Sequence, residues 1–172
     1  MMAAVAVVAL INLMEGSTKI NMIIRELQRS DYDAVCELMI EFARSCGVSD
    51  LYKETYDWDY AKNVLLRCEK TGASFVAQAG EDIVGMILSM RVPELWQPNI
   101  IRLRELAWFV NPQYRNTTVG ARLFAAYKNK AEIMKNEGKI TGFTMTKLHN
   151  SDDFDYEKRG FKFIEATYMV GA

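Results

Sequence analysis

Histidine is almost absent from this sequence: His149 is the single one among 172 residues. Cysteine is scarce too, and Cys36, Cys46 and Cys68 form an odd set without a Cys-x-x-Cys pair. These shortages exclude an ordinary zinc site and a disulfide framework as expectations. All three cysteines fall on segments with helical spacing, toward the apolar side, so they are expected as buried free thiols of a reducing, cytoplasmic compartment. Without a Cys–His pair, any catalysis must come from carboxylates, hydroxyls and the backbone. Charge of one sign is not concentrated either. The 21 basic and 22 acidic side chains leave a net charge of -1, and no run of Lys and Arg marks a nucleic-acid or membrane partner.

Long hydrophobic runs are missing as well. Ala3 to Met14 is apolar for about a dozen residues, too short for a bilayer-spanning helix, and no basic segment precedes it as a secretory signal requires. Residues 1–21 are read as an apolar extension outside the fold, and 22–172 as one domain. An added strand through Val5, Val7 and Val8, or a weak anchor, are the competing uses of the extension. Half of the residues are hydrophobic and a quarter charged, which is ordinary globular usage. The length suits a single domain with a real core.

The order of elements is legible from periodicity. Ile23 to Leu27 reads as a strand. Ser30 is placed to cap a helix whose apolar stripe runs through Val35, Leu38, Met39, Phe42 and Cys46. A second helix, capped by Asp57, turns Ala61, Val64, Leu65 and Cys68 inward and closes at Thr71-Gly72. Ser74 to Ala79 and Ile83 to Val92 read as a hairpin around Gly80-Glu81-Asp82. After a loop with an exposed Trp96 come a strand from Ile100 to Val110 and a helix from Thr118 to Glu137, with Gly138 as its C-terminal cap. Ile140 to Thr146 is a further strand, Asp152 to Lys158 a short helix and Phe161 to Val170 a last strand. A strand, helix and strand from Ile100 to Thr146 form a crossover with parallel strands, so the fold class is mixed α/β.

The stretch Glu105-Leu-Ala-Trp-Phe-Val-Asn-Pro-Gln-Tyr-Arg-Asn-Thr-Thr-Val-Gly-Ala121 places a strand, a polar loop and a helix start in succession. Unsatisfied N–H groups at such a start suit an anion, with Arg115 as a charged donor; an ordinary capped helix explains the same pattern. Strand alternation sets Glu105 on one face with Ile101, Leu103, Ala107 and Phe109. A carboxylate on an apolar face has a raised pKa and suits a base that takes a proton from an ammonium. A salt bridge to Arg102, Arg104 or Arg115 is the competing reading.

Arg115-Asn116-Thr117-Thr118-Val119-Gly120-Ala121 resembles the acetyl-CoA loop of the GNAT N-acetyltransferase superfamily, Arg/Gln-x-x-Gly-x-Gly/Ala. Arg115 and Gly120 match, whereas Thr118 replaces the first motif glycine and Asn116 stands where glycine is common. Tyr156-Glu-Lys-Arg-Gly160-Phe161 resembles the family's Tyr-Glu-Lys-x-Gly-Phe element. Asn150 is similar to an asparagine that precedes this element, one residue closer to the tyrosine than usual.

The resemblance spans residues 22 to about 170 and implies a GNAT-like mixed sheet flanked by helices. It implies an acetyl-CoA-dependent N-acetyltransferase with direct attack by a primary amine in a ternary complex, without a metal. Residues 115–121 and Asn150 would hold the acetyl-CoA, and N–H groups near Phe109 and Val110 would meet the oxyanion. Glu105 would serve as base, directly or through water, and Tyr156 would protonate the thiolate. A ring-packing role is the plain alternative for Tyr156. The acceptor is a small-molecule or protein amine. Tyr52, Glu54, Tyr56, Asp57, Trp58, Asp59 and Tyr60 are candidates to line its site, with Asp152, Asp153 and Asp155 adding acidity; a solvated loop with core aromatics explains the same residues and is the favoured reading. A catalytically silent CoA-binding or protein-interaction module is the alternative function. Only one strand's worth of chain follows Gly160, so a final strand is absent or supplied by a partner, as in a homodimer.

Overall fold

The computed structural model describes residues 21–46, 56–148 and 154–168. The apolar extension, the acceptor candidates Tyr52 and Glu54, and His149, Asn150, Asp152 and Asp153 lie outside the described residues. The chain runs through β1 (Met22–Glu26), α1 (Tyr32–Ser45), α2 (Trp58–Thr71), β2 (Phe75–Ala79), β3 (Asp82–Pro93), β4 (Ile101–Val110), α3 (Val119–Asn136) and β5 (Gly142–Thr144). Short 3-10 turns at Arg29–Asp31, Pro112–Tyr114 and Glu157–Arg159 join or follow these elements. The strands form one sheet in the order β1-β2-β3-β4-β5. The first three pairings are antiparallel, and β4 pairs with β5 in parallel, as the crossover through α3 requires.

Two cores lie on opposite faces of the sheet. Val35, Leu38, Leu65 and Cys68 from α1 and α2 pack with Met86, Leu88 and Phe109. Leu123, Tyr127 and Ala131 from α3 pack with Ile87, Leu103 and Val110. Covering on both faces explains why β3 is buried continuously from Val84 to Met90 instead of alternating.

Local chemistry sets the ends of the helices. Asp57 caps α2 as expected, accepting the Tyr60 N–H at 2.9 Å. Ser30 does not cap α1; it lies inside the 3-10 turn, and Asp31, which stands at the N-cap position, makes no side-chain cap bond to the helix. The buried Asp31 carboxylate accepts the Gln28 N–H at 2.9 Å and two bonds of 2.7 Å from Arg25. Burial alone would raise this carboxyl, but Arg25 and the Gln28 N–H outweigh it and hold it below its ordinary range. Gly138 ends α3 at φ 71°, a left-handed conformation that glycine adopts without steric cost. Gly72 is required for a different reason: a Cβ there would stand 1.8 Å from the Ser89 carbonyl oxygen. That close approach lets Ala73 and Ser74 exchange buried hydrogen bonds with Ser89.

Several expectations need correction. The strand expected over Ile140 to Thr146 shrinks to Gly142–Thr144, because β5 leaves β4 after the Arg104–Thr144 pair. The described part of the helix expected over Asp152 to Lys158 contains only the turn Glu157–Arg159. Residues 161–168 form no strand. Phe161 turns its ring toward Phe124, Phe143 and Tyr156, while Phe163, Ile164 and Tyr168 are exposed. Their β-favouring composition is insufficient by itself, because a strand also needs backbone pairing, and among the described residues no strand pairs with this segment. Cys36 and Cys68 are buried free thiols as expected, but Cys46 is only half-buried. Burial raises all three thiols, Cys68 to about 11, which suppresses their reactivity. Trp96 is exposed as expected. Among the described residues, no helix is long and apolar enough to cross a membrane.

Candidate active site

A bulge in β4 shapes the site. Opposite β3, Leu88 pairs with Ala107 and Ser89 with Glu105, so Leu106 is one residue too many. The extra residue reverses the alternation. Ile101 and Leu103 belong to the α3 core, but Ala107 and Phe109 belong to the α1–α2 core, and Trp108 and Val110 now face α3. Glu105 therefore shares its face with Ile101 and Leu103 but not, as simple alternation predicts, with Ala107 and Phe109.

Glu105 is 7% exposed and makes no ion pair among the described residues, so the salt-bridge reading fails. Arg102 pairs with Glu94 instead. The Glu105 carboxylate accepts the Thr146 backbone N–H at 2.9 Å, just where β5 has left the ladder. Burial pushes its pKa up to about 7, against the lowering effect of the Thr146 hydrogen bonds.

Tyr156 reaches the same residue from the other side. Its hydroxyl lies 3.5 Å from the Thr146 carbonyl oxygen, a long contact. Burial and then the nearby Glu105 charge push its phenol up to about 12. Its ring also packs edge-on against Phe154, at 4.9 Å between centroids, so packing and a polar role coexist. Glu105 and Tyr156, 51 positions apart in the numbering, thus meet at one residue, Thr146, on its two backbone groups just beyond β5. Sequence reasoning missed Thr146, which takes part through its backbone N–H and carbonyl and so leaves no side-chain signal.

The loop after β4 leads into the start of α3, where backbone donors gather. The first N–H groups of α3 lack intrahelical carbonyls; that of Val119 meets the Thr117 hydroxyl at 3.3 Å, and the Thr117 hydroxyl donates to the Tyr114 carbonyl at 2.6 Å. Thr118 makes no side-chain cap bond and sits at φ -79°, ψ 1°. Any residue adopts that backbone, so threonine in place of the motif glycine introduces no strain here. A Cβ at Gly120 would make only ordinary contacts at 3.8 and 3.9 Å with Trp108 and Val110.

Arg115 donates its Nε–H to the Val110 carbonyl at 3.0 Å and lies over the Phe109 ring. This leaves its terminal nitrogens without a partner among the described residues. A cavity of about 520 Å³ opens beside it, lined by Glu41, Arg44, Phe109, Asn111, Gln113 and Arg115 among others. The Asn111 N–H donates to Val84 on β3, so ladder alternation directs the Phe109 N–H toward β3 and the Val110 N–H toward the open side. Backbone donors at the start of α3, the terminal nitrogens of Arg115 and an adjacent cavity suit the chemistry of a pyrophosphate-bearing substrate.

The residues at the expected acceptor side are more dispersed. Tyr56 bonds the Cys36 carbonyl at 3.3 Å and packs edge-on against Trp58. Asp57 is used as a cap, and Tyr60 is exposed. Asp155 caps the turn that follows Tyr156, accepting the Lys158 N–H at 3.0 Å. Asn116 is exposed in the loop.

The family model for the acetyltransferase (GNAT) domain matches residues 47–170, the stretch that contains the bulged strand, the loop and the tyrosine turn. The chain belongs to the GNAT acetyltransferase family. Solved GNAT-type structures agree in fold. A predicted acetyltransferase from Clostridium acetobutylicum, solved with acetyl-CoA, is 11% identical, with 88% of this chain and 96% of that chain covered at a TM-score of 0.66. An acetyltransferase from Trypanosoma brucei is 21% identical, with coverage of 88% and 100% and a TM-score of 0.62. A ribosomal-protein-alanine N-acetyltransferase from Brucella melitensis biovar Abortus 2308 is 15% identical, with coverage of 87% and 98% and a TM-score of 0.59. No curated protein sequence matches the chain significantly. At these identities the neighbours establish the GNAT fold: one α/β domain with a mixed sheet flanked by helices.

Proposed function

We propose that this GNAT protein transfers an acetyl group from acetyl-CoA to a primary amine, with Glu105 as base and Tyr156 at the departing sulfur. The observation that carries the reading is the convergence of both side chains on Thr146, where β4 and β5 part. A substrate ammonium loses its proton to Glu105, directly or through a water, and the freed amine attacks the thioester carbonyl. Raising the carboxyl to about 7 brings it closer to a primary amine by about 3 kcal/mol relative to an ordinary glutamate. The Val110 N–H faces the side on which an oxyanion can be stabilised.

Tyr156 remains a neutral donor at working pH. Its pKa of about 12 exceeds that of a thiol, roughly 8.5, so full transfer to a thiolate is uphill. Its contribution is therefore chiefly a hydrogen bond to the developing thiolate as the tetrahedral intermediate collapses and the carbon–sulfur bond breaks; the second proton that the attacking nitrogen sheds as the amide forms passes through solvent to the thiolate. Arg115 and the first N–H groups of α3 would hold the pyrophosphate. The acceptor is a small-molecule or protein amine.

The test is calorimetric titration of acetyl-CoA into the protein, followed by an amine screen for release of free CoA thiol. Micromolar binding with amine-dependent release supports the reading. Binding without release from any amine supports a silent CoA-binding module, and no binding removes both.

A further inference from the structure

We propose that Tyr127 is a positioning residue whose hydroxyl fixes the end of β5, so that Thr146 meets Glu105 and Tyr156 together. Its relevance to catalysis rests on the roles proposed above for those two residues, but the geometry stands by itself. Tyr127 lies on α3 with no exposed surface, inside the core formed with Leu103, Leu123 and Ala131. Phenylalanine would fill that volume without burying a hydroxyl, which costs free energy unless it is bonded. The hydroxyl is bonded: it donates to the Thr144 carbonyl at 2.8 Å. Thr144 is the last residue of β5 that pairs with β4, opposite Arg104.

Two residues further on, the chain meets the site itself, with the Thr146 N–H on Glu105 at 2.9 Å and its carbonyl 3.5 Å from the Tyr156 hydroxyl. Tyr127 therefore anchors the hinge residue of the strand split. Its ring meets Phe143 edge-on at 6.0 Å between centroids, which limits tilting of the strand about that anchor. Among the described residues, the titratable groups that sense the Glu105 charge are Tyr127 from α3 and Tyr156 from the turn after β5. Across the ladder β3 presents the neutral Ser89.

The experiment uses Tyr127→Phe, which keeps the ring and removes one hydrogen bond. Carbon-13 NMR of the Glu105 carboxyl measures its titration midpoint without any need for turnover, and hydrogen exchange reads the Thr146 amide. Losing the anchor loosens the Thr146–Glu105 bond, so the midpoint should rise by about 0.5–1 and the Thr146 amide should exchange roughly tenfold faster. A folded variant with an unchanged midpoint overturns the proposal, because a merely structural tyrosine would lower stability and leave Glu105 alone. Should the variant fail to fold, the wild-type protein labelled at tyrosine Cζ decides the matter. The Tyr127 resonance must then move with the Glu105 midpoint, and a flat response overturns the idea. Absence of turnover with a shifted midpoint would count against the proposed function and not against this positioning role.

Discussion

The Glu105 carboxylate and the Thr146 backbone N–H are joined by a 2.9 Å hydrogen bond across the point where β4 and β5 separate. This bond replaces a rung of the sheet, and it holds an ionisable group in a buried place where little else favours its charge. The pH behaviour of the protein follows from it.

Activity should rise with pH through about 7, the value to which burial pushes Glu105, because the base must be ionised to accept a proton. Glu105→Gln should lower kcat by about 10²–10⁴-fold and remove this acidic limb from the profile. A limb that survives in the variant would assign it to another group.

Stability should respond in the opposite sense. The folded-state pKa of Glu105 is raised above its unfolded value, so its contribution is fully present below the unfolded pKa. That contribution is lost as pH rises through about 7. Glu105→Gln should therefore stabilise the protein at pH 8, by up to about 3 kcal/mol, relative to its effect at pH 5. Thermal melts of both proteins at the two pH values measure this directly. An equal effect at both would contradict a buried, raised carboxyl.

Tyr156→Phe keeps the ring against Phe154 and Phe161 and removes only the hydroxyl. It should reduce kcat by about 10–100-fold, a loss of about 1.5–3 kcal/mol for a hydrogen bond to a charged group, while the KM for acetyl-CoA stays nearly constant. A parallel rise in KM would place the hydroxyl in ground-state binding.

Arg115→Ala should weaken acetyl-CoA binding by about 10–100-fold, read by titration calorimetry. Thr118→Gly should change affinity far less, since Thr118 already occupies a φ of -79° open to any residue. A large gain from Thr118→Gly would show that the threonine side chain crowds the phosphate, a steric effect separate from backbone strain.

Gly72→Ala should be severely destabilising, by about 4 kcal/mol or more, because its Cβ would collide with the Ser89 carbonyl at 1.8 Å. Denaturant unfolding checks this, and a mild effect would mean that the α2–β2 connection can move away from β3.

Most of the element order was legible in the sequence because it rests on local signals. The apolar stripe of α1, the Asp57 cap, the Gly138 terminator and the β-rich runs each act within a few residues. The loop and tyrosine motifs were equally local, and they were sufficient to suggest the family. Glu105 and Tyr156 could be named as candidates from the sequence, but their meeting could not.

That meeting was decided by tertiary structure. The extra residue at Leu106 reverses the facing of β4 only because β3 supplies the opposing register, and no pattern within β4 itself announces it. The failure of residues 161–168 to form a strand has the same origin: side-chain composition favours an extended chain, but pairing depends on how the segment is placed against another strand. The Thr146 peptide became part of the site through its backbone groups, which every sequence carries at every position. Periodicity reports which face of an element is apolar, whereas the register between elements, and therefore which polar atoms meet, is set by packing across the whole sheet.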